Sequence, residues 1–218
     1  MESIAPYIQR LALWAVPILA AVVLHEVAHG YVAYRLGDST AARLGRLTLN
    51  PFAHIDLFGT IILPLLLLFG GAPFLFGYAK PVPVNFLNLR NPRRGMVLVA
   101  LAGPVTNLLL AGLSALVVHL LLSMPVPDNK LLTSNLIFIA RMAQYSVRMN
   151  VGLAVFNLLP LPPLDGGRVA TGLLPQTSAV ALARLEPYGM LIVMVLLASG
   201  VLDQVLYPMT TFLLHVLL

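Results

Sequence analysis

The 218-residue chain contains no cysteine, which excludes a disulfide framework, a thiolate metal site and a cysteine nucleophile. Any metal it binds must take histidine and carboxylate ligands. Charge is scarce as well: Asp, Glu, Lys and Arg make up 10% of residues, where a soluble domain carries about 25%. So few charges cannot cover the surface of a soluble protein of this size, which excludes a soluble enzyme and a disordered tail. The net charge of +5 comes without a basic run, so it speaks against nucleic acid and for scattered Lys and Arg that orient membrane segments. What is abundant is apolar: 59% of residues are hydrophobic and the mean hydropathy is +0.92.

The length fits one domain, and the apolar runs predict an all-α polytopic membrane protein with about five to six membrane helices. The first helix is expected over 11–35, long enough to span; Glu2 weakens the basic leader that a signal peptide would need. Residues 38–51 are polar, Gly-punctuated and briefly alternating, which predicts a short β-hairpin at the membrane surface. The segment 55–90 is broken by Pro64, by Gly70-Gly71-Ala72-Pro73 and by further prolines, and is expected to dip in and return as a re-entrant segment. Helices follow over 95–124 and 131–160. The latter carries Arg141 and Arg148, so its first half is expected along the interface and its second half in the membrane. A proline-broken stretch at 158–168 and a helical hairpin over 188–218 close the chain.

One polar cluster interrupts the first run: His25-Glu26-Val27-Ala28-His29. Histidines at i and i+4 share a helix face and can reach one metal ion, while the adjacent Glu26 can take a proton from water activated there. In a chain with five histidines, an accidental H-E-x-x-H has odds on the order of 10⁻³. The cluster lies about ten residues, or ~15 Å, inside an apolar helix, where ionisable groups are costly and signal function. Zinc held by two histidines needs a third protein ligand. Of the eight acids, Asp165 stands out, because it sits in a proline-broken stretch that must be buried or line a cavity if it lies at membrane depth. Asp56 reads equally as a helix-start residue, and as a lone residue Asp165 reads equally as a turn residue before glycine. His54 fits an interfacial residue better than a group behind the metal, and His119 and His215 have no partner spacing.

HEVAHG at 25–30, AGPVTN at 102–107 and NLLPLPPLDGG at 157–167 together resemble the site-2 proteases, intramembrane zinc metalloproteases, over nearly the whole chain. The likeness is to short bacterial and archaeal members without a PDZ-like or CBS-like domain. It implies one zinc ion on His25, His29 and Asp165, Glu26 as the catalytic glutamate, and Asn157, Asn107 and Gly103 as substrate-side positions. Gly103-x-x-x-Asn107 reads equally well as a small-residue packing notch. A single domain over 1–218 is expected to cut peptide bonds within transmembrane segments of protein substrates in the lipid bilayer. A homo-oligomer is compatible with the sequence. The competing reading is a membrane protein that binds a client without cutting it, or a metal transporter using the same ligands. The latter would want polar groups at several depths, whereas here they concentrate at one.

A site shared by the first and fourth runs requires both to point the same way, hence one crossing between them, over 95–124. This puts nine Lys and Arg on one side and four (Arg10, Lys130, Arg141, Arg148) on the other. The expected orientation is therefore N-terminus outside, in a prokaryotic inner membrane, with the site opening toward the cytoplasm. A helical substrate must unwind to be cut, and an exposed strand edge in 41–50 is expected to hold it extended.

Overall fold

The computed structural model describes residues 5–72, 74 and 76–218, so Glu2 and Pro73 lie outside the described residues. Among the described residues regular structure is helical and there is no strand. Three long helices make the bundle: α1 (Ala5–Arg35), α4 (Pro92–Ser123) and α5 (Lys130–Asn157). Between α1 and α4 lie the four-residue α2 (Thr40–Arg43), a π turn (Leu57–Ile62) and the short α3 (Leu63–Phe69). After α5 come α6 (Asp165–Leu173), α7 (Gln176–Ala183), α8 (Glu186–Ala198) and α9 (Val201–Leu217).

The helices begin where the sequence supplies caps. Asn91 and Asn129 side chains accept the first free N–H groups of α4 and α5, and Pro92, at the first position of α4, has no N–H to lose. Packing then follows residue size. On α4 the buried face reads Val99, Gly103, Asn107, Ala111, Ala115 at strict four-residue spacing, while Leu109, Leu113, Leu116 and Leu120 on other faces are exposed. Small residues on the seam let backbones approach closely, which is how helices associate when the surroundings are as apolar as the side chains. Contacts from His25 to Asn107 and from Leu36 to Arg90 set α4 antiparallel to α1, and Ser114 to Ser146 sets α5 antiparallel to α4. Thus α1 and α5 run in the same direction, as a site made from both requires.

Among the described residues two helices are long and apolar enough to cross a membrane, α1 from Leu11 and α4. A third is added if α7 and α8, bent by 68°, are one broken span. The expected five to six spans are thus met by two to three on length and composition. The fourth run is one continuous helix, α5, from Lys130 to Asn157. The longest helical stretch of the re-entrant segment is Leu57–Phe69, 13 residues or at most ~20 Å, too short to cross. Asp56 starts it by accepting from Gly59 N at 2.7 Å, the helix-start role.

The hairpin over 38–51 does not form. Asp38, wholly buried at the end of α1, accepts from the amide and hydroxyl of Thr40, from Asn85 N and from the Asn88 side chain. These bonds wind the chain into α2, and Ala41 packs inward against Gly30. Two alternating stretches of three and five residues are too short to outweigh one buried carboxylate with four donors.

Candidate metal centre

Three elements converge on one point. Helix α1 presents His25 and His29 one turn apart, with rings 4.6 Å between centroids and nearly perpendicular. Helix α6 begins at Asp165, which the Leu158–Leu164 turn carries in from the end of α5. There Gly166 is obligatory, because a Cβ would collide with the backbone of Leu158 and Leu159. Helix α4 clamps α6 from its other end: the Arg93 guanidinium donates to Gly172 O at 2.8 Å and also to Leu174 O.

His25 Nε2 lies 3.2 Å and His29 Nε2 3.3 Å from Asp165 Oδ2, and the two Nε2 atoms are 3.0 Å apart. All three residues are buried. The far side of each ring fixes its tautomer. His29 Nδ1 lies 2.6 Å from Val99 O, which can only accept, so Nδ1 carries the hydrogen. Asn107 donates its amide to Ala21 O and Asn150 Oδ1, which leaves its Oδ1 to accept from His25 Nδ1 at 2.6 Å. Both Nε2 atoms are therefore bare lone pairs, facing each other and a carboxylate oxygen that has no hydrogen-bond donor. Three acceptors about 3 Å apart in a dry interior repel unless a cation lies among them. Tetrahedral zinc, with bonds of about 2.0–2.1 Å, sets its ligands roughly 3.3 Å apart, so this donor set fits it.

The remaining expected positions divide. Gly103 faces the ligands directly: a Cβ there would lie 2.5 Å from both His25 Cε1 and His29 Nε2. Asn107 is fully buried behind His25 with its amide nitrogen and oxygen both engaged. G-x-x-x-N is thus the packing notch of α4 and a support of the histidines together. Asn157 ends α5 and donates to Leu153 O of its own helix. Glu26 lies beside the pair and accepts from Val82 N at 2.8 Å. His54 is buried, its Nε2 2.8 Å from Thr48 O, away from the ligands. His119 ties α4 to α9 through Leu217 O.

Sequence reasoning missed Asn150, Arg93 and Val82. Asn150 carried a readable signal, an amide inside an apolar run. It extends the support of His25 from Asn107 to Ser146, with Ser114 beyond, across all three long helices.

The model of peptidase family M50 matches residues 13–200 of this chain. The chain is 39% identical to "Putative zinc metalloprotease YwhC" of Bacillus subtilis over 207 residues, 95% of this chain and 87% of that protein. It is 31% identical to "Putative zinc metalloprotease Rip2" of Mycolicibacterium smegmatis, over 94% of this chain and 72% of that one. "Putative zinc metalloprotease Rip3" of Mycobacterium tuberculosis matches at 30% over 71% of this chain, which is 29% of its own length. No solved structure matches the chain. A buried His-His-Asp set of zinc geometry, its histidines on an apolar helix, inside a match to most of the chain, leads to one conclusion: the protein belongs to peptidase family M50, the site-2 proteases, and is a zinc metalloendopeptidase.

Proposed function

We propose that the protein hydrolyses peptide bonds inside transmembrane segments of other membrane proteins, using one domain over residues 1–218. The observation that carries this reading is depth. His25 and His29 precede Arg35, the polar end of α1, by ten and six residues, so the ligands sit ~9–15 Å inside the helix span. A metal ion there is out of reach of soluble protein and within reach of a membrane helix. We place α5 in the bilayer with α1 and α4, because it packs along both, with Lys130 and Arg141 in its outer half. The excess of Lys and Arg at the Arg35 end supports an opening toward the cytoplasm, in a prokaryotic cell membrane.

His25, His29 and Asp165 would hold the zinc, which supplies Lewis acidity that polarises a peptide carbonyl and acidifies water. Glu26 would take a proton from a water whose oxygen adds to the carbonyl carbon, and would deliver it to the amide nitrogen as the C–N bond breaks. Its carboxylate is aimed by a single donor. Pro81 and Pro83 have no N–H, so of residues 81–83 only Val82 can donate, and it donates to Glu26. The same segment replaces 41–50 as the place to hold an unwound substrate. Tyr78 N bonds Gly59 O, Lys80 N bonds His54 O and Val82 N bonds Glu26, so alternate residues point to one side, as in an extended chain. The intervening residues face the other way, where Ala79 can donate and accept and Pro81 can only accept, so a short stretch of substrate backbone can pair there.

Comparative membrane proteomics of wild type and a Glu26→Gln strain tests the reading. Transmembrane fragments ending within their apolar span should be produced only by wild type. Identical fragment sets in the two strains would contradict it.

A further inference from the structure

At the end of the bundle remote from the metal ligands, α1 and α5 part to form a cleft of about 450 Å³, lined by Leu13, Trp14, Arg141, Gln144, Tyr145 and Arg148. We infer that this cleft binds the phosphate headgroup of an anionic phospholipid. The assignment rests on the membrane placement of α1 and α5 proposed above and not on the proteolytic step.

Three observations carry it. The first is unmatched charge. Arg141 and Arg148 are both exposed, and among the described residues no carboxylate lies within 4.0 Å of either and neither guanidinium makes a hydrogen bond. Arg148 only stacks against the Tyr145 ring, 5.9 Å from its centroid. Two cations at a membrane helix without a protein counter-ion are costly unless the surroundings supply the anion.

The second is convergence. Arg141, Gln144 and Arg148 stand at i, i+3 and i+7, one face of α5, so two planar forks and an amide can close on one group from either end. Guanidinium forks match phosphate oxygens in geometry as well as charge. A zwitterionic headgroup would add its own cation to a site already carrying two, so the fit is to a net negative one.

The third is depth. From Arg35 back to Trp14 is 21 residues of α1, or ~32 Å, the thickness of a bilayer's hydrocarbon core. Trp14 therefore marks the opposite interface, and its ring packs on Tyr145 at 4.3 Å between centroids, the amphipathic aromatic pair that interfaces favour. Arg141 lies about one turn outside this pair, toward the lipid phosphates, and Arg148 three residues inside it, from where its long side chain can reach back to the same level. One turn deeper on the face of Trp14, Ile18 is 42% exposed, apolar surface on which an acyl chain can lie.

The test uses the full chain purified in a neutral detergent and offered equimolar phosphatidylglycerol and phosphatidylcholine, with retained lipid counted by native mass spectrometry. Wild type should retain phosphatidylglycerol over phosphatidylcholine by about tenfold or more. Arg141→Gln with Arg148→Gln should lose the preference at unchanged zinc content, and Arg141→Lys with Arg148→Lys should keep part of it. Millimolar inorganic phosphate should not displace the lipid; displacement would make this a site for free phosphate and overturn the assignment. So would equal retention of the two lipids by wild type, a result that needs no variant to fold, or an undiminished preference in the glutamine variant.

Discussion

Two buried amides with no chemistry of their own hold His25, one of the three candidate metal ligands. Asn107 accepts from His25 Nδ1 at 2.6 Å and is itself held by Asn150, so the ring can present Nε2 and nothing else. Partners of this kind are commonly worth 10–100-fold in metal affinity. Asn107→Leu is expected to weaken zinc retention by about that factor, and Asn150→Leu by less with the same sign, measured by competition with a chromophoric chelator. Retention equal to wild type in Asn107→Leu would show that packing alone orients His25. The three residues that the fold groups as candidate ligands were legible in the sequence because H-E-x-x-H is a local spacing and Asp165 is an acid where backbone irregularity must be buried. Their supports were not legible as such. Val99 O and Val82 N are backbone groups 70 and 56 residues from the side chains they meet, and nothing local marks them; Asn150 is marked as an amide in an apolar run, but its partner 43 residues away is not.

At the scale of elements, α4 is the surface on which the site is assembled. Its seam touches both histidines through Gly103, and its start clamps α6 through Arg93. Gly103→Ala places a methyl 2.5 Å from His29 Nε2, so either α4 or the ring must move. Zinc content should fall at least as far as in Asn107→Leu, with the helices still formed by circular dichroism, since alanine is the better helix former. The link after α1 shows why a pattern can mislead. Alternation over a few residues suggested a hairpin, but Asp38 gathers four donors and turns the chain into α2. Burial alone would raise the Asp38 carboxyl, yet hydrogen bonds from the Thr40 and Asn88 side chains and the Asn85 and Thr40 amides hold it below the ordinary carboxylate value. Its stabilisation is therefore present above that value and is lost as pH falls through the lower folded one. Thermal unfolding of metal-free protein should show wild type more stable than Asp38→Asn at pH about 7 and the gap closing toward pH about 3. A gap independent of pH would remove the carboxylate from the account.

For the whole molecule, the arrangement of directions was readable before the number of spans. The need for one metal site on two runs required them to be parallel, and α1 and α5 are parallel with α4 antiparallel between them. The count of spans was less legible, because apolar composition does not distinguish a helix that crosses from one that packs beside others. The absence of native cysteine lets orientation be tested with single introduced ones. Leu89 is packed at 4% exposure and would report poorly, whereas Leu87 at 85%, Leu44 at 63% and Val126 at 79% are open. Cysteines at positions 44 and 87 should label from the cytoplasmic side and one at 126 from the other. Labelling of 44 and 87 from opposite sides would make the 55–90 segment a crossing.

The central claim is that zinc on His25, His29 and Asp165 works with Glu26 to cut a membrane-embedded peptide bond. The most direct measurement reconstitutes wild type, Glu26→Gln and Asp165→Ala in liposomes with a transmembrane substrate, and reads zinc content and cleavage rate together. Glu26→Gln should keep its zinc and lose about 10²–10⁴-fold in rate, since only the base is removed. Asp165→Ala should lose both zinc and cleavage, because one of three protein ligands is gone. Wild-type cleavage by Glu26→Gln, or full zinc occupancy in Asp165→Ala, would contradict the account.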